Sequence, residues 1–252
     1  MSRALVELQD RLYAQSTAAL LVIVQAMDAA GKDSVIKHVM SGLNPQGCQV
    51  WSFKEPSTEE LAHDYLWRSS KLLPKRGLIC IFNRSYYEEV LVIRVHPELL
   101  ERQRLPEEAL KGDIWRRRFN EINAFEQYLH DNGIVVLKFF LYLSKDEQKR
   151  RFVERIERPE KNWKFSASDV RERGYWEAYM NAYEDVLNHT STNAAPWYVV
   201  PADHKWFTRL GVAAVVASKL EELNPAYPTV TRRQREELDQ AARLLKGEAS
   251  QQ

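Results

Sequence analysis

The chain has 252 residues, a length that fits one large α/β domain or two small ones. Hydrophobic residues make up 44% and charged residues 28%, the balance of a globular protein with enough apolar material for a full core. The net charge is only +1, so we expect no nucleic-acid partner, and any other polyanion would have to bind a local basic surface. No apolar run approaches the roughly 20 residues that span a bilayer, so no membrane partner is expected.

The amphipathic, acid-containing N-terminal segment is typical of a helix rather than a signal peptide. Cys48 and Cys80 fall in strand-like runs without metal-site spacing. We expect buried free thiols rather than a disulfide, which fits a reducing cytoplasm. The six histidines are also scattered without metal-ligand spacing, so packing or surface roles are expected.

Short apolar runs alternate with helical patterns along the chain. Strands are predicted at 18–26, 48–54, 77–83, 134–143 and 197–202. Helices are predicted at 4–15, 32–40, 57–68, 106–130, 144–157, 203–223 and 232–246. Ser57 and Glu60 have the spacing of a capping box. The alternation predicts an α/β fold with a mostly parallel five-stranded sheet flanked by helices. We expect one domain over residues 1–230 and a polar helix and tail over 231–252.

The segment "QAMDAAGKDS", residues 25–34, joins the first predicted strand to a helix and has the form of a phosphate-binding loop. Such a loop presents backbone N–H groups and the positive helix end to phosphate. Gly31 lets the backbone approach the ligand, and Lys32 adds a mobile charge. Two signature positions differ, because Ala26 replaces a glycine and Asp33 replaces a Ser or Thr. The predicted phosphate-binding residues of the loop are Ala29, Ala30, Gly31, Lys32 and Asp33.

Two carboxylates in this loop, Asp28 and Asp33, would repel bare phosphate oxygens. A bound Mg²⁺ reverses that effect, because this hard cation takes carboxylate and phosphate oxygens together. We predict Asp28 as the metal ligand, with Ser34 less well placed. Asp33 fits a catalytic role and a helix-stabilising acid equally well, since an acid in the first turn interacts favourably with the helix dipole.

A second motif, "CIFNRSYYEEVLVIRV" at 80–95, begins at the end of a predicted strand, where α/β sheets collect their chemistry. Arg84 is a natural clamp for a transferring phosphoryl group. Glu88 and Glu89 could both be helix-surface acids, but Glu88 lies one turn from Arg84 and is favoured for the site. We predict that Asn83, Tyr87 and Glu88 contact a nucleotide.

The stretch 149–173 carries nine lysines and arginines against five acids. It could be a solvated helix pair with ion pairs at i,i+4. The helix-breaking Pro159 and the aromatic residues in its middle favour a mobile lid that brings arginines over bound phosphates and excludes water. Arg150, Arg151 and Arg155 are the predicted phosphate-binding residues of the lid.

Taken together, these segments resemble the polyphosphate kinase 2 family over residues 5–224. The resemblance is carried by collinear stretches, several of which are not general to phosphate-loop proteins. They are "MDAAGKDSVIKHVMSGLNPQG" (27–47), "SFKEPSTEELAHDYLWR" (52–68), "FNRSYYEEVLVIRVHPELL" (82–100), "NWKFSASDVRER" (162–173) and "APWYVVPADHKWF" (195–207).

The resemblance implies a P-loop kinase fold similar to thymidylate kinase, with a helical lid. It implies reversible Mg²⁺-dependent phosphoryl transfer between inorganic polyphosphate and AMP, ADP or ATP in a homodimer or homotetramer. Asp28 would engage the metal and orient the acceptor phosphate, and Lys32 would contact phosphates. Lys54 and Arg84 would line the phosphate path. Catalysis would consist mainly of positioning and charge neutralisation.

Three positions depart from much of the family, which has glycine at Ala26, aspartate at Asn83 and asparagine at Glu88. The turn at Ala26 tolerates a side chain if its φ is negative. The "FNRSYYEE" version resembles the class III subgroup, which implies that both AMP and ADP are phosphorylated.

Two rival functions remain open at the level of sequence. The same fold would support a nucleoside monophosphate kinase that uses ATP as donor. Asp33 in place of Ser or Thr and the lack of aspartate at Asn83 count against it. A non-catalytic regulator that binds polyphosphate or nucleotide is the second rival. The presence of Asp28, Lys32 and Arg84 together counts against that reading, because a pure binder needs no metal-holding acid.

Overall fold

The computed structural model describes residues 3–248, in which five strands alternate with helices. The strands are β1 (Ala19–Gln25), β2 (Cys48–Ser52), β3 (Ile79–Asn83), β4 (Ile134–Tyr142) and β5 (Trp197–Pro201). The helices are α1 (Arg3–Gln15), α2 (Lys32–Met40), α3 (Thr58–Leu61), α4 (Trp67–Ser70), α5 (Glu88–Val95), α6 (Glu107–Leu110), α7 (Ile114–Asp131), α8 (Lys145–Glu157), α9 (Ala167–Glu172), α10 (Trp176–Thr190), α11 (Lys205–Leu223) and α12 (Arg232–Glu248). Four 3₁₀ turns lie at Pro45–Gly47, Pro97–Gln103, Pro159–Lys164 and Arg173–Tyr175.

The five strands form one sheet in the order β2-β3-β1-β4-β5, and every neighbouring pair is parallel. Strand β1 lies at the centre, and all seven of its residues are buried. Burial on both faces explains why this strand is a continuous apolar run without alternation. The predicted α/β fold with a parallel five-stranded sheet is confirmed.

Helices cover both faces of the sheet and form two separate cores. One core packs α1, α2 and α11 against the sheet, with Leu12, Val35 and Val216 almost fully buried. The other packs α5, α7 and α10 against the opposite face, with Val90 and Ile122 fully buried. Apolar residues therefore recur at helical spacing in each of these helices because one face of each contacts the sheet.

The strand order places the carboxyl ends of β1 and β3 side by side. The chain leaves β1 for the edge strand β2, returns to β3, and then crosses to β4 on the other side of β1. Val24 is in register with Asn83, and the backbone N–H of Arg84 donates to the carbonyl of Val24 at 3.0 Å. A change of direction of this kind opens a crevice at the strand ends, which is where ligands bind in α/β sheets.

The helix predicted at 57–68 is interrupted, so two short helices, α3 and α4, replace it. The capping box at the start of α3 is confirmed, with Ser57 Oγ accepting from the Glu60 N–H and the Glu60 carboxylate accepting from the Ser57 N–H. The Asp64 carboxylate then accepts from the N–H of Leu66 at 2.9 Å. A short acidic side chain that bonds the backbone two residues on favours a turn over a helix.

The prediction of one helix over 106–130 is also wrong, because α6 and α7 are separate. Gly112 has φ +74°, a conformation that ends a helix and that glycine adopts without strain. Asp113 then caps α7, its carboxylate accepting from the N–H of Arg116 at 3.0 Å. Helix α10 was not predicted at all, since half of its six buried residues are aromatic and its sequence lacks a regular aliphatic stripe.

Helix α12 projects from the remainder of the fold, and its side chains over residues 232–246 are exposed. Pairs spaced four residues apart stabilise it, including Arg233 with Glu237 at 3.0 Å. Within residues 3–248, no helix is both long and apolar enough to cross a membrane.

Candidate active site

The loop between β1 and α2 curls around the first turn of α2. Ala29 has φ +63° and Gly31 has φ +99°, so two residues of this loop adopt the left-handed conformation. At Gly31 it is this φ, rather than a lack of space, that favours glycine, because an added Cβ would meet its nearest neighbour at 3.7 Å. Ala26 is not among the described residues with positive φ, so a side chain is tolerated where much of the family has glycine.

Lys32 folds back along the same loop. Its ammonium donates to the carbonyl of Ala26 at 2.9 Å and to that of Met27 at 3.4 Å. Burial and the neighbouring charge of Arg84 lower the pKa of Lys32, whereas Asp28 and Glu88 oppose that change. The amine is therefore held by the loop backbone, close to the acidic and basic side chains of the second motif.

Arg84 joins the two predicted motifs. Its guanidinium donates through Nη2 to Asp28 Oδ1 at 3.0 Å and through Nη1 to Glu88 Oε2 at 3.3 Å. The charge of Glu88, followed by that of Asp28, raises the pKa of Arg84 against the effect of burial. Arg84 itself has φ +64°, a strained conformation for a residue with a side chain, of a kind that clusters at functional sites.

Asn83 and Asp33 form a second contact between the motifs. Asn83 Nδ2 donates to Asp33 Oδ1 at 2.8 Å. Asp33 also lies in the first turn of α2, where an acid interacts favourably with the helix dipole. Asn83 thus contacts the phosphate loop, and it is not among the residues that line the large cavity described below.

Arg151 of α8 holds the phosphate loop through hydrogen bonds to its backbone carbonyls. Its Nη1 donates to the carbonyls of Ala29 and Ala30, both at 2.9 Å, and its Nη2 donates to those of Ala202 and Asp203. Its Nε donates to Glu147 at 2.7 Å.

A guanidinium has five N–H donors, and those of Arg151 are all used in these contacts. The side chain is also 5% exposed. In this arrangement Arg151 positions the loop and has no donor left for phosphate, so the prediction that it contacts polyphosphate does not fit the geometry.

The other two predicted lid arginines lie elsewhere on α8. Arg150 points outward, with its side chain 63% exposed and paired with Glu147 at 2.5 Å. Arg155 pairs with Asp169 of α9 at 3.3 Å. Burial and the charge of Asp28 raise the pKa of Asp169, so this acid lies near the loop. A role for Arg150 and Arg155 in binding phosphate stays a prediction.

A cavity of about 580 Å³ opens at the carboxyl ends of β1 and β3. Its volume is within the range of small-molecule sites. Four of the predicted site residues line it: Asp28, Lys54, Arg84 and Glu88. Residues of α9 and α10, including Asp169 and Tyr179, complete the wall on the side of the predicted lid.

The prediction that Tyr87 contacts a nucleotide does not fit the geometry. Tyr87 is fully buried, and its hydroxyl donates to Glu126 at 2.9 Å and accepts from Lys138 at 2.9 Å. The neighbouring Tyr86 lines the cavity and also donates to Glu126, at 2.8 Å. Tyr87 lies at the start of α5, on the side that faces the core.

Sequence reasoning missed residues that support the site through contacts distant in the chain. Gln148 Nε2 donates to the carbonyl of Asp28 at 3.0 Å, and Arg173 donates to Gln148 Oε1 at 2.9 Å. Arg209 of α11 donates to Ser34 Oγ at 2.6 Å. No local pattern marks these residues, because each lies in a helix or turn that only the folded chain brings to the loop.

Three features together define a P-loop kinase type of α/β protein. They are the parallel sheet of this strand order, the strained loop that leads from its central strand to a helix, and the arginine–carboxylate cluster at the end of the adjacent strand. The model of the family described as Polyphosphate kinase 2 matches residues 1–228.

Individual relatives agree with that match. The chain is 55% identical over 240 residues to an ADP-polyphosphate phosphotransferase of Rhodopseudomonas palustris, covering 95% of this chain and 83% of the relative. It is 44% identical to an AMP/ADP-polyphosphate phosphotransferase of Meiothermus ruber, covering 90% and 81%. A crystal structure of polyphosphate kinase 2 from Arthrobacter aurescens superposes with a TM-score of 0.83 at 39% identity, covering 94% of this chain and 82% of that one. The chain belongs to the polyphosphate kinase 2 family.

Proposed function

We propose that this protein is a kinase that transfers phosphoryl groups between inorganic polyphosphate and adenine nucleotides, converting AMP to ADP and ADP to ATP. Family membership supports polyphosphate as the donor, and the relatives named for AMP and ADP support these acceptors. The observation that carries the proposal is the cluster of Asp28, Arg84 and Glu88 beside the phosphate loop, at the wall of a cavity of nucleotide size.

The residues of the cluster would act mainly by positioning and by neutralising charge. Phosphoryl transfer spreads negative charge over the oxygens of the moving group, and fixed cations stabilise that charge. Arg84 is suited to this because Asp28 and Glu88 hold its guanidinium in one place. The attacking phosphate of AMP or ADP is already anionic near neutral pH, so the enzyme needs no general base.

The donor set at the loop is compatible with Mg²⁺. Among residues 3–248, no group of three or more His, Cys, Asp or Glu side chains could hold a metal by itself. Mg²⁺ at phosphate-transfer sites usually takes only one or two carboxylates and completes its shell with water and phosphate oxygens. Asp28, whose side chain is 29% exposed at the cavity wall, would hold it. When bound, the metal would offset the charge of the phosphates.

A basic path for polyphosphate would pass Lys54, which is exposed at the cavity wall, and would include the lid arginines Arg150 and Arg155. Polyphosphate is a dense polyanion, so its binding should weaken steeply with salt. The free thiols Cys48 and Cys80 support a cytoplasmic location. A homodimer or homotetramer is part of the proposal on the basis of family resemblance.

The test is product analysis by anion-exchange chromatography. The protein is incubated with Mg²⁺ and AMP, with either polyphosphate or ATP as the only donor. We expect ADP and then ATP with polyphosphate. ADP that forms only with ATP as donor would instead identify a nucleoside monophosphate kinase.

The variant Asp28→Asn separates an enzyme from a binding protein. We expect turnover to fall by about 10² to 10³-fold, the range for loss of one electrostatic group at a reacting centre. Ligand binding should persist, because the amide retains the shape of the carboxylate. Unchanged turnover would contradict the assignment of Asp28 to the metal.

A further inference from the structure

Arg68 of α4 is a buried cation in the wall of the cavity. The residue is 8% exposed, although its side chain carries a full charge. Its Nη1 donates to the carbonyl of Lys54 at 2.8 Å, and its guanidinium lies 5.3 Å from the centre of the Phe53 ring. The nearest carboxylate, that of Glu60, is 3.9 Å from Nη1 and also accepts from the backbone N–H of Ser57.

The remaining donors of Arg68 point to no protein acceptor. Its Nε and Nη2 have no hydrogen-bond partner among the described residues, and neither atom is sealed from solvent. Arg68 is also one of the residues that line the cavity, so these donors are available to a ligand bound there. Burial lowers the pKa of Arg68, and the charges of Glu60, Glu88 and Glu89 only partly oppose this. A guanidinium in this position stays protonated and gains most from an anion that brings its own acceptors.

The composition of the cavity distinguishes two possible anions, a nucleotide phosphate and polyphosphate. Apolar side chains that include Leu91, Val92 and Leu99 share the cavity with Arg68 and Arg84. Acidic side chains also line the cavity, among them Asp28, Glu88 and Asp169. A site that combines an apolar part with charged groups is suited to a ligand that has both a ring and a charge. A nucleotide has both, whereas polyphosphate has no apolar part.

We propose that Arg68 binds a phosphate group of the acceptor nucleotide and thereby positions the nucleotide against the Arg84 side of the cavity. The assignment rests on the proposed function, since it names a residue of the acceptor site. The turn that Asp64 stabilises lies directly before the short helix that carries Arg68.

The experiment compares calorimetric binding of AMP and adenosine, with Mg²⁺ and without polyphosphate, in the wild-type protein and in Arg68→Met. The wild type should bind AMP more tightly than adenosine. In Arg68→Met that preference should fall by about 10- to 100-fold, the effect of one charge-assisted hydrogen-bonding group. The adenosine Kd should stay within about twofold, because adenosine has no phosphate.

Two further variants serve as comparisons. Arg68→Lys keeps the charge but loses the planar fork, so it should retain part of the preference. Arg76→Met removes an exposed arginine outside the cavity and should leave both affinities unchanged. Melting temperatures of all variants show whether the fold is intact.

Three outcomes would overturn the assignment. Equal weakening of AMP and adenosine in Arg68→Met would indicate a structural role through the carbonyl of Lys54. A raised KM for polyphosphate in Arg68→Met, with an unchanged preference for AMP over adenosine, would place Arg68 at the donor site. A wild-type protein that binds AMP and adenosine equally well would contradict a contact with the nucleotide phosphate. Failure of the wild type to form ADP from polyphosphate would contradict the proposed function while leaving the binding result readable.

Discussion

Two charged clusters lie close together in this fold, and they differ in how completely they are enclosed. Lys138 of β4 and Glu126 of α7 form an ion pair of 2.5 Å with both side chains fully buried. The cluster of Asp28, Arg84 and Glu88 has side chains that are 29%, 36% and 18% exposed. The first cluster is closed to any ligand, and the second borders the cavity.

The closed cluster has no spare hydrogen-bonding capacity on its cation. Lys138 donates to Glu126, to the Tyr87 hydroxyl and to the carbonyl of Thr190, which uses its three N–H groups. Burial raises the pKa of Glu126 and lowers that of Lys138, because both charged forms lose water, and their pairing opposes this. Such a pair determines how β4, α5 and α7 fit together.

The side chains of the open cluster remain accessible from the cavity. Arg84 is shared between two carboxylates at 3.0 and 3.3 Å, so a bound phosphate can take over part of its hydrogen bonding. Paired acidic and basic side chains thus stabilise the fold where they are enclosed, and they are available for chemistry where they border a cavity.

The largest expected effect is on catalysis at the open cluster. Arg84→Met should lower polyphosphate-dependent kcat by about 10³-fold or more, the range for an arginine that stabilises a transferring phosphoryl group. Stability should change little, because the side chain is partly exposed and methionine keeps the same strained backbone. Steady-state kinetics with AMP measure the loss of kcat, and a thermal melt measures the change in stability. Similar activity in the variant would remove Arg84 from the reaction.

The next effect is on stability at the closed cluster. Glu126→Leu should lower the free energy of unfolding by about 3–5 kcal/mol, because it leaves Lys138 buried without its partner. The double variant with Lys138→Met should recover part of that loss, since no unpaired charge remains. Urea unfolding of both single variants and the double variant measures the coupling. Additive losses would contradict a direct interaction between the two side chains.

A smaller, pH-dependent effect on stability is expected at Glu147, which pairs with one exposed and one buried arginine. Hydrogen bonds from the exposed Arg150 and the buried Arg151 lower the pKa of Glu147 to about 2. A lowered pKa stabilises the fold above the unfolded pKa, and that stability is lost as the pH falls from about 4 towards 2. After allowance for solvent screening at Arg150, we expect a loss of about 1–2 kcal/mol.

The matched variant for this effect is Glu147→Gln. It should be less stable than the wild type at pH 7 and should show less of the decline between about pH 4 and 2. Urea unfolding at several pH values measures the difference. Parallel pH profiles for the two proteins would contradict the role of Glu147.

The smallest effect is expected on the exposed helix α12. Arg233→Ala breaks a pair whose side chains are 90% and 60% exposed, so the free energy of unfolding should change by less than about 0.5 kcal/mol. Activity should be unchanged. A larger loss of stability or activity would show that α12 has a partner that the single chain does not contain.

Much of the fold and part of the site could be predicted from local patterns. The central strands β1, β3 and β4 are largely buried, continuous apolar runs. The predicted ends of all five strands differ from the observed ends by at most two residues. The phosphate loop was predicted because a strand, a glycine and a helix follow one another directly. Arg84 and Glu88 were predicted as neighbours from their helical spacing, and they form an ion pair at 3.3 Å, although Arg84 has φ +64° and lies before the start of α5.

The sequence by itself therefore determined the α/β fold, the position of the phosphate loop and the candidate residues Asp28, Arg84 and Glu88, because each was found within one short segment. The contact between Asp28 and Arg84, which are 56 residues apart, was decided by the strand order that places β1 beside β3. Only the tertiary structure decided what Tyr87, Arg151 and Arg68 do. Tyr87 and Arg151 lie in motifs that suggest ligand binding, yet Tyr87 faces the core and Arg151 donates only to backbone carbonyls and Glu147. No local pattern marks Arg68. Arg68 alone of the three retains unpaired donors at the cavity. Periodicity gives the face of a helix on which a residue lies, but the neighbour of that face depends on chain crossings that no local pattern encodes.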